Sequence, residues 1–498
     1  MSYNLSHTGE EIDSANNIIL NTQVTWYVDL DAEVNGDGSQ ASPYNTLASI
    51  VQTRSMCVLL KGGSSGTQDW SVIVDGSPFC FLVISSYGPG KAIFTGEMDL
   101  TGVQYADISN IIFTGDDAAT NAHALSLDVA NNIKIHGCVF TGDDGEYGIF
   151  ARANVAGEDI YNIEIYNNEF YGLDTATTVN GAVHFRLLNV TSRVHDIYIH
   201  DNIFHDLSGW GINFNGAEAV TVGNEPYGVK IVRNIFHNNT WGAFKMVSGI
   251  DTYVAYNIAT NNGTDVDGNA TNCFQLHRQL KSVTGTIVEY NQIYGTVDDS
   301  ATIGDGSAVI CDWQSWTPTA DHNSDGVIVR FNTFVDNYNG VGVWGAENTE
   351  VYGNIILGGT LGIRMGNSTS TGNIFRNNTL INNTTGMETN SSAATFTYHN
   401  NTISGSTTGL DVITAPTTPT HNAWYDNTTD YEVGGTPTAL PGTDNVTTDP
   451  LLTSEGELQT SSPLLEAGTG TDYEGMVSLF GMPFTDIANI GAYPGKGK

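Results

Sequence analysis

The chain has 498 residues, long enough for several ordinary domains, but it is 40% hydrophobic, only 14% charged and holds 56 Gly; that balance favours short strands broken by turns over long helices. Its formal net charge of -37, from 17 Lys plus Arg against 54 Asp plus Glu, opposes binding to a phosphate backbone, so nucleic acid is not an expected partner. Cys57, Cys80, Cys138, Cys273 and Cys311 are odd in number and form no CxxC pair, which signals neither a disulfide framework nor a zinc site and leaves them as small core residues.

Residues 1–23 come first, read as a short helical attachment or cap. MSYNLSHTGEEIDSANN has no basic run and no apolar core, so no signal peptide is expected. No segment approaches the ~20 apolar residues of a membrane span, so no membrane insertion is expected either. The phrase LSHTGEEIDSA is similar to one at the start of bacteriophage tail-fibre and tailspike proteins. That resemblance implies a homotrimer attached to a virion, touching other tail proteins through its N-terminus and binding a bacterial surface polysaccharide outside the cell.

From 24 to about 430 a phrase of the form apolar-x-apolar-x-x-Asn-x-apolar returns, for example at 163–170, 197–204, 328–334 and 374–380. Alternation on either side of a turn marks two half-buried strands, and Asn suits a left-handed corner. The turn markers are Asn110, Gly137, Asn168, Asn202, Asn234, Asn257, Asn291, Asn332, Asn354, Asn378, Asn401 and Asn422. Toward the end they recur about every 22 residues, one coil of a solenoid whose coils bury their apolar sides only against each other. Stacked corner amides would form a hydrogen-bonded ladder; the sequons at Asn239 and Asn378 read as turn and ladder residues rather than sugar acceptors.

A further strand per coil begins near a small residue: YGIFAR (147–152), GAVHFR (181–186), WGINFN (210–215), WGAFKM (241–246), CFQLHR (273–278), SAVICDW (307–313), GVGVWG (340–345) and LGIRMG (361–366). The extra residues of the long coils, such as LDTATTVN, NGTDVDGNATN and VDDSATIGDG, fall at the two ends of this strand. They would bank one face over coils 148–345 and make a groove for a glycan.

Both ends of this region resemble the pectate-lyase-like superfamily. VTWYVDLDAEVNGDGSQASPYNTLASI (24–50) looks like its opening strand, Asp/Gly loop and cap; TTDPLLTSEGELQTSSPLLEAGTG with DIANIGAYPG looks like its closing segment, which sets 431–498 apart as a C-terminal cap. DLDAEVNGDG has calcium-loop-like spacing but lacks the terminal Glu, and reads as a turn. The resemblance implies an all-β, right-handed single-stranded parallel β-helix. The fold hosts lyases, hydrolases, epimerases and adhesins, so activity must be argued from side chains.

Alternation on the groove strand turns His184, Arg186, Asn213, Asn215, Gln275, His277 and Asp312 outward, with Arg278 beside them and Trp344 further along; Lys245 is ambiguous, because Phe244 competes for the inward position. Hydrolysis would pair Asp312 with Asp298, Asp299 or Asp305 from the preceding loop, two carboxyl groups flanking the bond, with Trp313 and Trp316 as stacking platforms. β-Elimination would use Lys245 and His277, with a Ca²⁺ ion held by Asp265 and Asp267, although no cofactor is required. The leading expectation is a tailspike-like polysaccharide-binding, cleaving protein; the alternatives are a non-enzymatic virion adhesin and a bacterial polysaccharide lyase.

Overall fold

The computed structural model describes residues 23–115, 123–142, 147–173, 181–188, 191–215, 225–264, 272–278, 283–297, 306–313, 324–366, 370–392, 395–413, 418–465, 467–469 and 491, with the backbone alone of Gly9–Ile12, Ile18–Asn21 and positions 278, 283–284, 313 and 324–325. The chain forms the right-handed parallel β-helix that its repeats predict: three parallel sheets, with almost no helix among the described residues. It divides into two compact units, 1–230 and 231–498.

In the first unit each strand pairs in register with its counterpart one coil on, so that identical residue types stack. Ile133 meets Ile163, and Ile163 meets Ile197. In the second sheet Phe113, Phe140, Phe170 and Phe204 stack with centroids 5.0, 4.7 and 4.6 Å apart. All four rings are buried, and truncating one would cost about 3–5 kcal/mol. Before this stack, the helix expected within 1–23 is replaced by an antiparallel strand pair, Gly9–Ile12 with Ile18–Asn21; the short β-branched, apolar run of IILN suits a strand better than a helix.

The second unit holds the longest ladder. Asn234, Asn257, Asn291, Asn332, Asn354, Asn378, Asn401 and Asn422 are buried, and each side-chain amide donates to the next one's oxygen at 2.9–3.2 Å. Asn239 joins a second ladder, its amide 2.8 Å from Asn262 Oδ1. The left-handed residue is a correction to the sequence reading. Asn110 and Gly137 adopt it themselves, but elsewhere it is the residue before the ladder Asn, such as Tyr256, Tyr290 and Phe331 at φ 57, 55 and 56°. Asn is therefore selected at the corner for its amide, and the strained neighbour is held by ring stacking, Tyr256 on Tyr290 at 5.1 Å and Tyr290 on Phe331 at 5.4 Å.

Near 430 the chain makes an antiparallel return, Thr429–Val433 with Thr436–Pro437. It then lies along the last coils, with Leu458 and Leu464 packed on Ala423 and the Asn400 side chain bonded to the Thr469 backbone. All five cysteines are free and buried. No helix among the described residues is long and apolar enough to cross a membrane.

Candidate functional site

Strand pairing in the third sheet, which in the second unit runs through Gly242–Val247, Phe274–Arg278, Ser307–Trp313, Asn339–Trp344 and Leu361–Gly366, decides which side chains face outward. Phe244 pairs with Phe274 and Met246 with Leu276, four fully buried residues, so the intervening Lys245 and Gln275 share the other face. This settles the ambiguity at Lys245. The register continues His277 to Asp312 to Trp344 in one column and Gln275 to Ile310 to Gly342 in the next.

Three polar groups meet on adjacent coils of this face. His277 Nδ1 lies 2.7 Å from Asp312 Oδ1, and Gln275 Nε2 donates to Asp312 Oδ2 at 3.0 Å. Only 3%, 1% and 8% of Gln275, His277 and Asp312 is exposed. With both carboxylate oxygens engaged, Gln275 Oε1 is left as a buried acceptor with no hydrogen-bond partner, a position that a ligand hydroxyl would satisfy. Turning the amide over would set its oxygen against the carboxylate, so the donor assignment is fixed by charge.

Lys245 is half-buried on the same face, in register with Gln275. Burial pushes its ammonium below the usual lysine value, and the Asp312 carboxylate opposes that only in part. The buried Val247, two residues along the same face, adds to the low-dielectric surroundings that disfavour a charge. A lysine held this way is a proton acceptor nearer neutral pH than a free one. Trp344 completes the column: its ring lies against Gly366, where an added Cβ would stand 2.1 Å from Trp344 Cζ3.

The other positions divide between placement and silence. Arg278 and Trp313 are paired in register, but their side chains lie outside the described residues. So do Asp298, Asp299, Asp305, Trp316, Asp265 and Asp267 entirely, and with them the second carboxylate for hydrolysis and the calcium pair.

In the first unit His184 pairs with Asn213 and Arg186 with Asn215, but the expected exposed polar strip is not there. His184 and Asn213 are buried, Asn215 is half-buried and only Arg186 is exposed. At His184 the cause is aromatic packing: Tyr147 and Phe150 lie edge-on to it at 5.2 and 5.5 Å, and His123 stacks on Phe150 at 4.3 Å. Arg152 Nε donates to Asp128 Oδ2 at 2.8 Å and its guanidinium sits over Phe150. Burial, then the charge of Arg152, push the His123 imidazole down to about 4. Sequence reading missed His123, Asp128 and Arg152; only Arg152 carried a signal, as the last residue of YGIFAR, in register with Arg186.

A family model described as right handed beta helix region matches residues 279–428. No curated protein matches the chain. Among solved structures, a GH136 lacto-N-biosidase from Eubacterium ramulus is 13% identical over 75% of this chain and 65% of its own, with a TM-score of 0.50. The chain thus spans about 65% of that enzyme's length. A mannuronic acid specific polysaccharide family 6 lyase from human gut microbiota is 15% identical over 68% of this chain and 82% of its own, TM-score 0.41. An alginate lyase from Paenibacillus sp. str. FPU-7 is 14% identical over 60% and 88%, TM-score 0.36. Identities this low speak to the fold alone.

Proposed function

We propose that the second unit binds a polysaccharide on the outer face of its third sheet and cleaves it by β-elimination, with Lys245 as the base. One observation carries this reading: a lysine made less basic by burial stands on the same face as a carboxylate-held imidazole. The neutral amine takes the proton beside a uronate carboxylate, and the released electron pair forms the carbon–carbon double bond as the glycosidic C–O bond opens. As the imidazolium, with Nδ1–H held by Asp312, His277 gives its Nε2 proton to the departing oxygen and is left neutral. Gln275 Oε1 receives a sugar hydroxyl. Hydrolysis asks for two carboxyl groups across the bond, and of the expected pair only Asp312 lies among the described residues.

The test incubates purified protein with polymannuronate, polyguluronate, polygalacturonate and bacterial capsular polysaccharides. Falling viscosity with ultraviolet-absorbing unsaturated ends is expected. New reducing ends without that absorbance would mean hydrolysis, retention without cleavage an adhesin, and neither binding nor shortening would overturn the reading.

Finer parts of the proposal are a bacterial surface polysaccharide as ligand, homotrimeric association, and attachment to a phage particle through residues 1–23, which the similarity of LSHTGEEIDSA supports. A monomer mass by light scattering would remove the trimer, and activity indifferent to chelators would remove Ca²⁺ at Asp265 and Asp267.

A further inference from the structure

Beyond Asp312 the outer face carries a second group of side chains that the cleavage chemistry does not use. The column of Lys245 and Gln275 continues through Ile310 and Gly342 to Arg364 and Glu388. The Arg364 guanidinium stands over the Trp344 ring, 5.3 Å from its centroid. Its Nε lies 3.8 Å from Glu388 Oε1, longer than a hydrogen bond, so Glu388 faces the guanidinium as an ion pair. The Asn390 side chain reaches the same spot, its Oδ1 2.6 Å from where a Cβ on Gly366 would stand. Gly366 thus admits the indole, while at Gly342, between Ile310 and Arg364 in the column, the Ile310 side chain fills the space, its Cγ1 3.1 Å from where a Cβ would stand.

We infer that Trp344, Arg364 and Asn390 form a separate subsite for a carboxylate-bearing sugar, beyond the point of cleavage, and that Glu388 limits its affinity. This rests on the polysaccharide-cleaving reading above and adds to it where the chain must be charged. A planar guanidinium fixed on an indole suits a carboxylate, while ring edges and an amide suit hydroxyls. Lys245 and Arg364 are four strands apart, about 19 Å at ~4.8 Å per step. The glycan therefore runs along the coil axis over several linked sugars, and its acidic groups must recur along it. In a chain of net charge -37 such a polymer is repelled at long range, so moderate salt should aid capture.

The experiment measures binding by calorimetry and cleavage by ultraviolet absorbance, using polymannuronate, polyguluronate and polygalacturonate oligomers of two to eight sugars and their carboxyl-reduced forms. For wild type, kcat/KM should climb with length until the oligomer spans both sites, and carboxyl reduction at the distal sugars should undo the gain. Arg364→Gln should lose about ten-fold in kcat/KM on the longest oligomers, about 1.4 kcal/mol, mostly through KM. Glu388→Gln should tighten binding several-fold, a gain that no loss of folding would mimic. Thermal unfolding of both variants separates misfolding from lost binding.

The subsite is overturned if both variants bind the acidic oligomers as wild type does, or if wild type binds acidic and reduced forms alike. Cleavage by wild type with those results leaves the proposed function standing. Failure of wild type to bind any probe overturns both.

Discussion

The corner ladder and the outer face of the third sheet, both in the second unit, are each built from buried polar side chains, and they differ in how fully those groups are satisfied. Asn332 donates to Val288 O, Arg330 O and Asn354 Oδ1, while its own Oδ1 accepts from the backbone and side chain of Asn291. On the outer face both oxygens of Asp312 are engaged, but Gln275 Oε1 has no partner and Lys245 is desolvated beside it. A saturated network holds the coil spacing and asks nothing of solvent. An unsaturated one weakens the fold locally and is kept where a ligand completes it.

The sharpest way to break that contrast is Lys245→Met. Removing the base should lower cleavage by about 10³-fold, roughly 4 kcal/mol of barrier, while thermal stability holds or rises because a desolvated amine is gone. A fall in stability with activity retained would place Lys245 with the ladder instead. Next, Asn332→Ala should cost about 2–4 kcal/mol in urea unfolding, because the buried groups on Asn291 and Asn354 lose their partner; a near-neutral result would show that the ladder is ornament.

Asp312→Asn comes third. It keeps the shape but no longer fixes the tautomer of His277, and should slow cleavage about 10²-fold with little change in melting. If Lys245 is the base, the rate should rise with pH through a midpoint below the ordinary lysine value of 10.5, in the direction set by burial.

The smallest effect tests the first unit. His123 is held neutral there, its folded value of about 4 lying below the ordinary 6.5. The unfolded chain therefore binds the proton more readily, and stability is present above pH 6.5 and declines as pH falls from 6.5 toward 4. His123→Gln should flatten that decline in unfolding curves taken between those limits.

Much of this was legible in the residues. The recurrence from Asn332 to Asn422 read directly as coils, because a ladder residue has one environment in every turn. The outward placement of Gln275, His277 and Asp312 followed from alternation against Phe274, Leu276, Val309 and Cys311. What alternation cannot supply is the depth of cover. His184 and Asn213 sit at outward positions yet are buried, His184 because Tyr147 and Phe150 pack against it from the preceding coil. Lys245 needed the pairing with Gln275 to be placed. Arg364 went unremarked although LGIRM matches GAFKM in pattern, its meaning coming only from Trp344, a residue twenty positions earlier.

The buried thiols turn the molecule into its own clock. Burial pushes Cys57 to about 11 and Cys138 to about 12, and drives Cys273 and Cys311 up as well. Cys311 sits on the core side of the very strand that presents Asp312. Alkylating reagents should meet it only when that strand lifts away, so the pace of its labelling, with and without oligosaccharide, reports how often the rung beneath the chemistry opens.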